Sequence, residues 1–365
     1  MRNLCLSFLG ALFMATAAFG APFEVKTVAQ GLDHPWGMAF LPNGDILVTE
    51  RAGRLRVIRN GVLDTTPIAG TPPTFVASQG GYFDIVLHPK FAENNWVYLT
   101  FAHGERGANA TRVVRAVFDG KALTDLKAIF TADPAKASSN HYGGRLAFLP
   151  DGTFLLTVGD GFDTREQAQN LNSHLGKIVR LNDDGSIPAD NPFVGQAGKK
   201  PEIWSNGHRN QQGLAVDPRT GTVYEHEHGP RGGDEINIIG KAKNYGWPAI
   251  CDCVDYSGAK VSPFKSLPGM EQALLYWTPS IAPSGMTVYY GDKFPAWNGD
   301  LIVGALVLQH VRRVDLENGQ VKGQEVFAEG PLKARIRDVR TSPDGYIYVT
   351  TDETNGKVLR LEPKP

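Results

Sequence analysis

Six echoes of one hairpin phrase, 41 glycines and 24 prolines among 365 residues, and no long helical periodicity predict an all-β fold, a six-bladed β-propeller. The phrase is an apolar strand, a tight turn and a second apolar strand. "MAFLPNGDILVTER" at 38–51 states it with Pro-Asn-Gly; "GRLAFLPDGTFLLTVGD" at 144–160 and "DVRTSPDGYIYVTTDE" at 338–353 state it with Pro-Asp-Gly. Looser versions are "DIVLHPKFAENNWVYLTF" at 84–101, "GLAVDPRTGTVYEHEH" at 213–228 and "TVYYGDKFPAWNGDLIVGAL" at 287–306. Gly, Asn or Asp accepts the backbone angles each turn requires. A β-sandwich of similar hairpins is the competing fold, but a sandwich rarely repeats one turn phrase so often. The first strand of each echo should line the central channel. The echoes are unevenly spaced, which predicts long loops on one face. Phe23–Val28 is the candidate strand to complete the last blade.

The amino terminus reads as an export signal over residues 1–21. Met1-Arg2-Asn3 is followed by an apolar run from Leu4 to Phe13 and small residues through Ala21. That run is too short for a membrane span, which needs ~20 apolar residues. The expected mature chain, 22–365, is then one exported propeller domain, periplasmic if the source is Gram-negative. Losing Arg2 turns 37 basic and 38 acidic residues into 36 and 38, a net charge of −2. No basic stripe is present, which argues against a nucleic-acid partner. Cys5 leaves with the signal, and Cys251 and Cys253 remain in "CDC". A bridge across one intervening residue is strained, so the pair is not read as a disulfide framework.

Four stretches carry candidate chemistry, and all fall at strand ends or in loops. In "NHYGGR", His141 precedes a channel-lining strand, and Asp160 ends that strand's hairpin partner. A histidine oriented by a carboxylate is a general base; a lone loop histidine is as often structural. In "SNGHRNQQGLAVD", Arg209, Asn210 and Gln212 crowd before another inner strand and suit carboxylates and carbonyls. In "RIRDV", Arg335 and Arg337 share one strand face and suit a polyanion. In "EHEHGPRGGDEIN", His226 and His228 share a strand face, as in some zinc sites, but no HExxH motif is present. Gly229-Pro230 ends that strand in a turn with exposed carbonyls, and Asp234 and Glu235 follow. Hard oxygen donors favour calcium over zinc, and the residues alone leave either metal, or none, open.

"GHRNQQGLAVD", "EHGPRGGDEIN" and "KNYGWP" resemble the soluble pyrroloquinoline-quinone (PQQ) sugar dehydrogenases, the glucose/sorbosone dehydrogenase family. The likeness runs from "GLDHPWGMAFLPNG" to "RIRDVRTSPDGYIYVTTDE" and implies the same six-bladed fold. It implies that His141 is the proton acceptor and Asp160 its orienting carboxylate. It implies quinone contacts at Gln79, Arg209, Asn210, Gln212, Tyr256, Arg335 and Arg337. The carbonyls of Gly229 and Pro230 would hold the calcium that also binds PQQ, and Glu235 and Tyr245 a second, structural calcium. His226 and His228 become structural rather than ligands. Many relatives carry a lysine where this chain has Val307.

The activity so implied is oxidation of an aldose at C1 to a lactone, with electrons passed to an external acceptor. Two rivals share the fold. A calcium-dependent propeller hydrolase such as a lactonase predicts a channel of carboxylates and amides, against the arginines at 209, 335 and 337. A non-catalytic sugar-binding propeller has no need of a His-carboxylate pair at the channel mouth.

Overall fold

The computed structural model describes residues 22–364; the predicted signal segment and Cys5 lie outside the described residues. Twenty-four strands form six four-stranded antiparallel sheets. Strand β1 is Phe23–Leu32. Blade one is β2 (Pro35–Phe40), β3 (Ile46–Glu50), β4 (Arg54–Arg59) and β5 (Val62–Leu63). Blade two is β6 (Tyr82–Leu87), β7 (Trp96–Glu105), β8 (Ala108–Phe118) and β9 (Leu123–Thr131). Blade three is β10 (Leu146–Phe148), β11 (Phe154–Val158), β12 (Lys177–Leu181) and β13 (Ile203–Asn206). Blade four is β14 (Gln211–Val216), β15 (Val223–Glu227), β16 (Asp234–Ile238) and β17 (Leu275–Trp277). Blade five is β18 (Pro283–Val288), β19 (Leu301–Ala305), β20 (His310–Glu317) and β21 (Gln320–Phe327). Blade six is β22 (Ile336–Thr341), β23 (Ile347–Thr351) and β24 (Gly356–Pro363), completed by β1.

Each sequence echo forms the first two strands of one blade, and the first strands pack against one another around the channel. The turns obey one rule: Gly44, Gly152 and Gly345 sit at φ 87°, 85° and 82°, left-handed angles that glycine adopts without strain. The closing strand runs to Leu32, beyond the expected Val28, because two bulges keep it in register with β24. The core is divided into wedges between neighbouring blades. Leu47, Val57, Val97 and Leu99 fill the first; Ala29, Leu32, Met38 and Val358 fill the one that joins the chain's ends.

Threonines on the second strands stitch these wedges together. The Thr49 hydroxyl donates to the Phe83 carbonyl of the next blade (2.6 Å) while accepting the Gly37 N–H. Thr100 repeats the arrangement, donating to the Gly144 carbonyl at 2.6 Å and accepting the Asp84 N–H. Thr157 and Thr350 accept the N–H groups of Arg145 and Asp338 in the same way.

The axis is plugged by ions. Arg145, fully buried, donates to Asp338 Oδ1 (2.7 Å), to the Gln212 carbonyl (2.7 Å) and to the Arg337 carbonyl (3.1 Å). Arg340 bridges Asp84 (2.6 Å) and Asp338 (2.9 Å). Asp338 also accepts the Met38 N–H and Asp84 the Leu146 N–H. These bonds connect blades one, two, three, four and six at one point. Among the described residues, no helix is long and apolar enough to cross a membrane.

Replacing Arg145 by Met would leave two buried carboxylates, Asp84 and Asp338, to share Arg340 alone. It should lower the unfolding free energy by about 3–5 kcal/mol, read by denaturant unfolding; a loss under about 1 kcal/mol, the level of an exposed pair, would show that the plug is not structural.

Candidate active site

In an antiparallel hairpin the start of the first strand and the end of the second lie side by side. The six hairpins therefore present these ends on one face and their Gly turns on the other. His141, Arg209, Asn210 and Arg335 precede first strands, while Asp160 and Gly229 follow second strands. The structure brings all of them to one face.

His141 Nδ1 lies 2.7 Å from Asp160 Oδ1. Asp160 is held in turn by the Trp247 indole N–H (2.8 Å) and the Phe162 N–H (2.8 Å). The His141 N–H donates to Gln79 Oε1 (2.8 Å), which fixes the loop that carries the ring. Gly159 is where the chain passes closest: a Cβ there would lie 2.4 Å from the His141 carbonyl oxygen. Burial lowers the His141 pKa below the ordinary imidazole value, with Asp160 opposing the shift. Burial alone would raise Asp160, but the His141 ring and Arg209 hold its carboxyl below the usual range.

Beside this pair opens a cleft of about 720 Å³, whose walls include Trp36, Tyr142, Gln79, Asn210, Gln212 and Val307. Its charge comes from Arg51, Arg335 and Arg337. Arg335 and Arg337 both donate to Asp352 Oδ2, at 3.2 and 3.0 Å, so they do share a face. Burial would raise Asp352, but Arg337, Arg335 and Arg51 hold it down at about 2. Three guanidiniums thus meet one carboxylate. Arg337 Nη1 also donates to Gln212 Oε1 (3.2 Å), and Arg337 Nε is buried with no partner. An aromatic wall, a cationic surplus and amides fit a flat, multiply carboxylated ring.

Beyond His228, which borders both, lies a smaller cleft lined by Arg209, Glu227, Gly229, Glu235, Tyr245 and Trp247; Arg209 is central to it. Its guanidinium donates to the carbonyls of His228 (2.8 Å) and Gly229 (3.2 Å), and reaches the Tyr256 hydroxyl at 3.5 Å. Carbonyls that converge on a cationic group are suited to a hard metal ion.

A second set of donors lies behind them. Strand alternation puts Glu225 and Glu227 on one face of β15 and His226 and His228 on the other. Glu227 pairs directly across from Glu235, and Glu225 across from Asn237. Like charges opposite one another are unfavourable. Burial pushes Glu227 and Glu235 each up to about 8, and Glu225 well above the carboxylate range. Glu225 Oε1, Asn237 Oδ1 and Gln211 Oε1 are buried without partners. His208, not His226 or His228, joins this nest, 3.3 Å from Glu227. An oxygen-rich nest with surplus acceptors fits calcium. Of the expected pair, Glu235 faces this region, whereas the Tyr245 hydroxyl is committed to the Ile238 carbonyl (2.7 Å) and the Gly240 N–H (2.8 Å). Tyr245 could bind only through its main-chain carbonyl. His228 Nε2–H donates to the Pro283 carbonyl (2.6 Å), and His226 packs against Gly213.

Cys251 and Cys253, whose pairing the sequence leaves open, are joined as a disulfide. The loop turns through Asp252 and brings their Cα atoms to 5.2 Å, within bonding range. Arg51, Asp352, His208, Glu225 and Glu227 were missed as site residues. Alignment of the echoes would have found Arg51 and Asp352, which follow second strands just as His228 does.

The profile described as Glucose / Sorbosone dehydrogenase matches residues 32–360. The chain belongs to this family. It is 42% identical over 363 residues to aldose sugar dehydrogenase YliI of Escherichia coli, covering 96% of each chain. It is 51% identical over 360 residues to an uncharacterised Synechocystis protein, covering 93% of this chain and 87% of that one. Among solved structures it resembles the apo-form soluble aldose sugar dehydrogenase of E. coli, with a TM-score of 0.90 and 41% identity over 94% of this chain and all (100%) of that one. It also resembles the PQQ-bound aldose sugar dehydrogenase of Streptomyces coelicolor, with a TM-score of 0.76 and 28% identity over 94% and 99% of the two chains.

The nest makes a prediction about metal. Calcium added to chelator-treated protein should raise the melting temperature, by the equivalent of about 2.7 kcal/mol at a hundred times Kd. Glu235→Gln should lose most of that gain in the same thermal scan. No gain in the unsubstituted protein would mean that the nest holds protons instead.

Proposed function

We propose that this chain is a calcium- and PQQ-dependent dehydrogenase that oxidises aldoses at C1 to lactones and passes the electrons to an external acceptor. The observation that carries this reading is the His141–Asp160 pair standing beside a cleft with three arginines against one carboxylate. The surplus of cations also disfavours a calcium-dependent hydrolase. With residues 1–21 read as an export signal and 22–365 as one catalytic domain, the enzyme would work outside the cytoplasm, in the periplasm of a Gram-negative host.

When bound, the quinone supplies a two-electron acceptor for the C1 hydride and calcium supplies a Lewis acid that polarises it. The chain's own residues do the rest. Asp160 accepts from Nδ1–H of His141, so Nε2 keeps its lone pair and can take the proton of the anomeric hydroxyl. Trp247 and the Phe162 N–H keep Asp160 in line. Arg209 places positive charge where negative charge would grow on the acceptor. Arg335 and Arg337 would hold its carboxylates, with Gln79, Asn210, Gln212 and Tyr256 around the ring. Arg51 in the same cleft offers a cation where Val307 replaces the lysine of many relatives. Gly229 and Pro230 would offer carbonyls to calcium, and Glu235 and the Tyr245 carbonyl would hold the second ion.

The test is reconstitution: purified protein, calcium, PQQ, an aldose panel and an electron-accepting dye. Dye reduction that requires both calcium and PQQ is the expected result; its absence, with no PQQ binding by titration, would reject the reading. His141→Ala should abolish turnover while PQQ still binds. The shift at His141 is downward, so the base stays unprotonated below the ordinary imidazole pKa of ~6.5. A pH profile of kcat/KM should therefore stay level through that value and fall only at lower pH.

A further inference from the structure

Phe162 occupies a position that the fold alone does not explain. Its φ is 71°, a left-handed conformation that an aromatic side chain adopts only at a cost. Gly161 before it is also left-handed, at φ 81°, so two such residues run in succession. The turn is held by its main chain: the Phe162 N–H donates to Asp160 Oδ1 (2.8 Å), the Asp163 N–H to the Gly161 carbonyl (2.9 Å), and the Thr164 hydroxyl to the Asp160 carbonyl (2.7 Å). Glycine at 162 would keep every one of these bonds and remove the strain. The side chain is also not in the core, since it is 40% exposed. Backbone strain, solvent exposure and a large apolar ring are all unfavourable for stability, and they coincide at one residue.

What the ring does touch is the candidate base. Its centroid is 4.9 Å from that of His141, at 89°. On its other side stands Tyr256, 6.4 Å away and tilted by 31°, itself 51% exposed and in reach of Arg209. A hydroxyl that gives its proton to His141 must come within ~3 Å of the imidazole. A pyranose carrying that hydroxyl at C1 would then lie close to Phe162, whose ring centroid is 4.9 Å from that of the imidazole. Pyranoses have faces of axial C–H groups, which shed water against aromatic rings, and an aromatic ring is rigid and loses little freedom when it is covered.

We propose that Phe162 is the platform on which the aldose ring rests, and so a determinant of substrate specificity. The proposal rests on the reading of His141 as the base. Phe162 makes no bond with the reacting atoms; it positions the sugar so that C1 and its hydroxyl face the imidazole. The αL turn carries the ring against the base with part of its surface open to solvent.

Two variants, Phe162→Gly and Phe162→Leu, test it on the full chain with calcium and PQQ. Phe162→Gly should melt no lower than the unsubstituted protein, which separates loss of the platform from loss of the fold. In both variants KM for D-glucose should rise about tenfold, the factor corresponding to about 1.4 kcal/mol, with the loss falling on KM rather than kcat. Saturation-transfer NMR without an electron acceptor gives a readout independent of turnover. Transfer from protein aromatic protons to the C–H protons of D-glucose should drop in Phe162→Gly. Transfer and KM unchanged from the unsubstituted protein would overturn the platform. Transfer that depends on Phe162 in a protein that never reduces dye would uphold the platform and reject the dehydrogenase reading.

Discussion

Arg145 is the interaction on which the rest of the arrangement depends. A propeller leaves a hole on its axis, and the sheets around it bury their apolar faces against one another, not towards the centre. This chain fills the hole with Arg145, Asp338, Asp84 and Arg340, four charged groups paired two by two. The same guanidinium holds the carbonyls of Gln212 and Arg337. The plug is therefore also the floor of the cleft. Gln212 and Arg337 reach upward from residues whose main chains are fixed below, and Trp36 lies over the Arg145 guanidinium, 4.0 Å from its ring centre. Strain or slack at the axis would reach the cleft through these bonds.

Above the floor, charge is segregated. The cleft carries a surplus of guanidiniums, and the nest behind β15 a surplus of carboxylates. Arg209 stands beside the nest. Its N–H donates to Glu227, while its side chain turns towards the carbonyls of His228 and Gly229. Neither half is stable as an isolated set: a cationic pocket calls for an anionic ligand, and a carboxylate nest for a cation or protons. An organic polyanion and a divalent metal together would meet both requirements. This complementarity, rather than any single residue, ties the proposed function to the geometry.

Much of this was legible in the chain because hairpins repeat. The Pro-Asn-Gly and Pro-Asp-Gly turns report their angles directly, and the apolar runs on either side of them, such as 46–48, report the paired strands. His141 with Asp160, and Arg335 with Arg337, were visible because each pair sits at hairpin ends, whose positions follow from the echoes. What escaped notice depended on contacts between blades. Arg51 looks like an ordinary surface residue until its hairpin is superposed on the others. The threonines at 49, 100, 157 and 350 recur at one position, but their partners lie in other strands. In "EHEH" the histidines drew the metal reading, yet the alternation that pairs His226 with His228 equally pairs Glu225 with Glu227. Which face carries the nest is decided by what the neighbouring strands and loops bring to it, Glu235 and Asn237 from β16 and His208 from the loop before β14. The disulfide of Cys251 and Cys253 depended on a loop bend that spacing alone does not reveal.

The most direct test of the account is a crystal structure of the protein grown with calcium and PQQ. The quinone should lie in the cleft against the aromatic wall of Trp36 and Tyr142, with its carboxylates on Arg335 and Arg337. One calcium should lie at the carbonyls of Gly229 and Pro230 and another in the carboxylate nest. A quinone bound elsewhere, or a nest that stays free of metal at saturating calcium, would contradict the account.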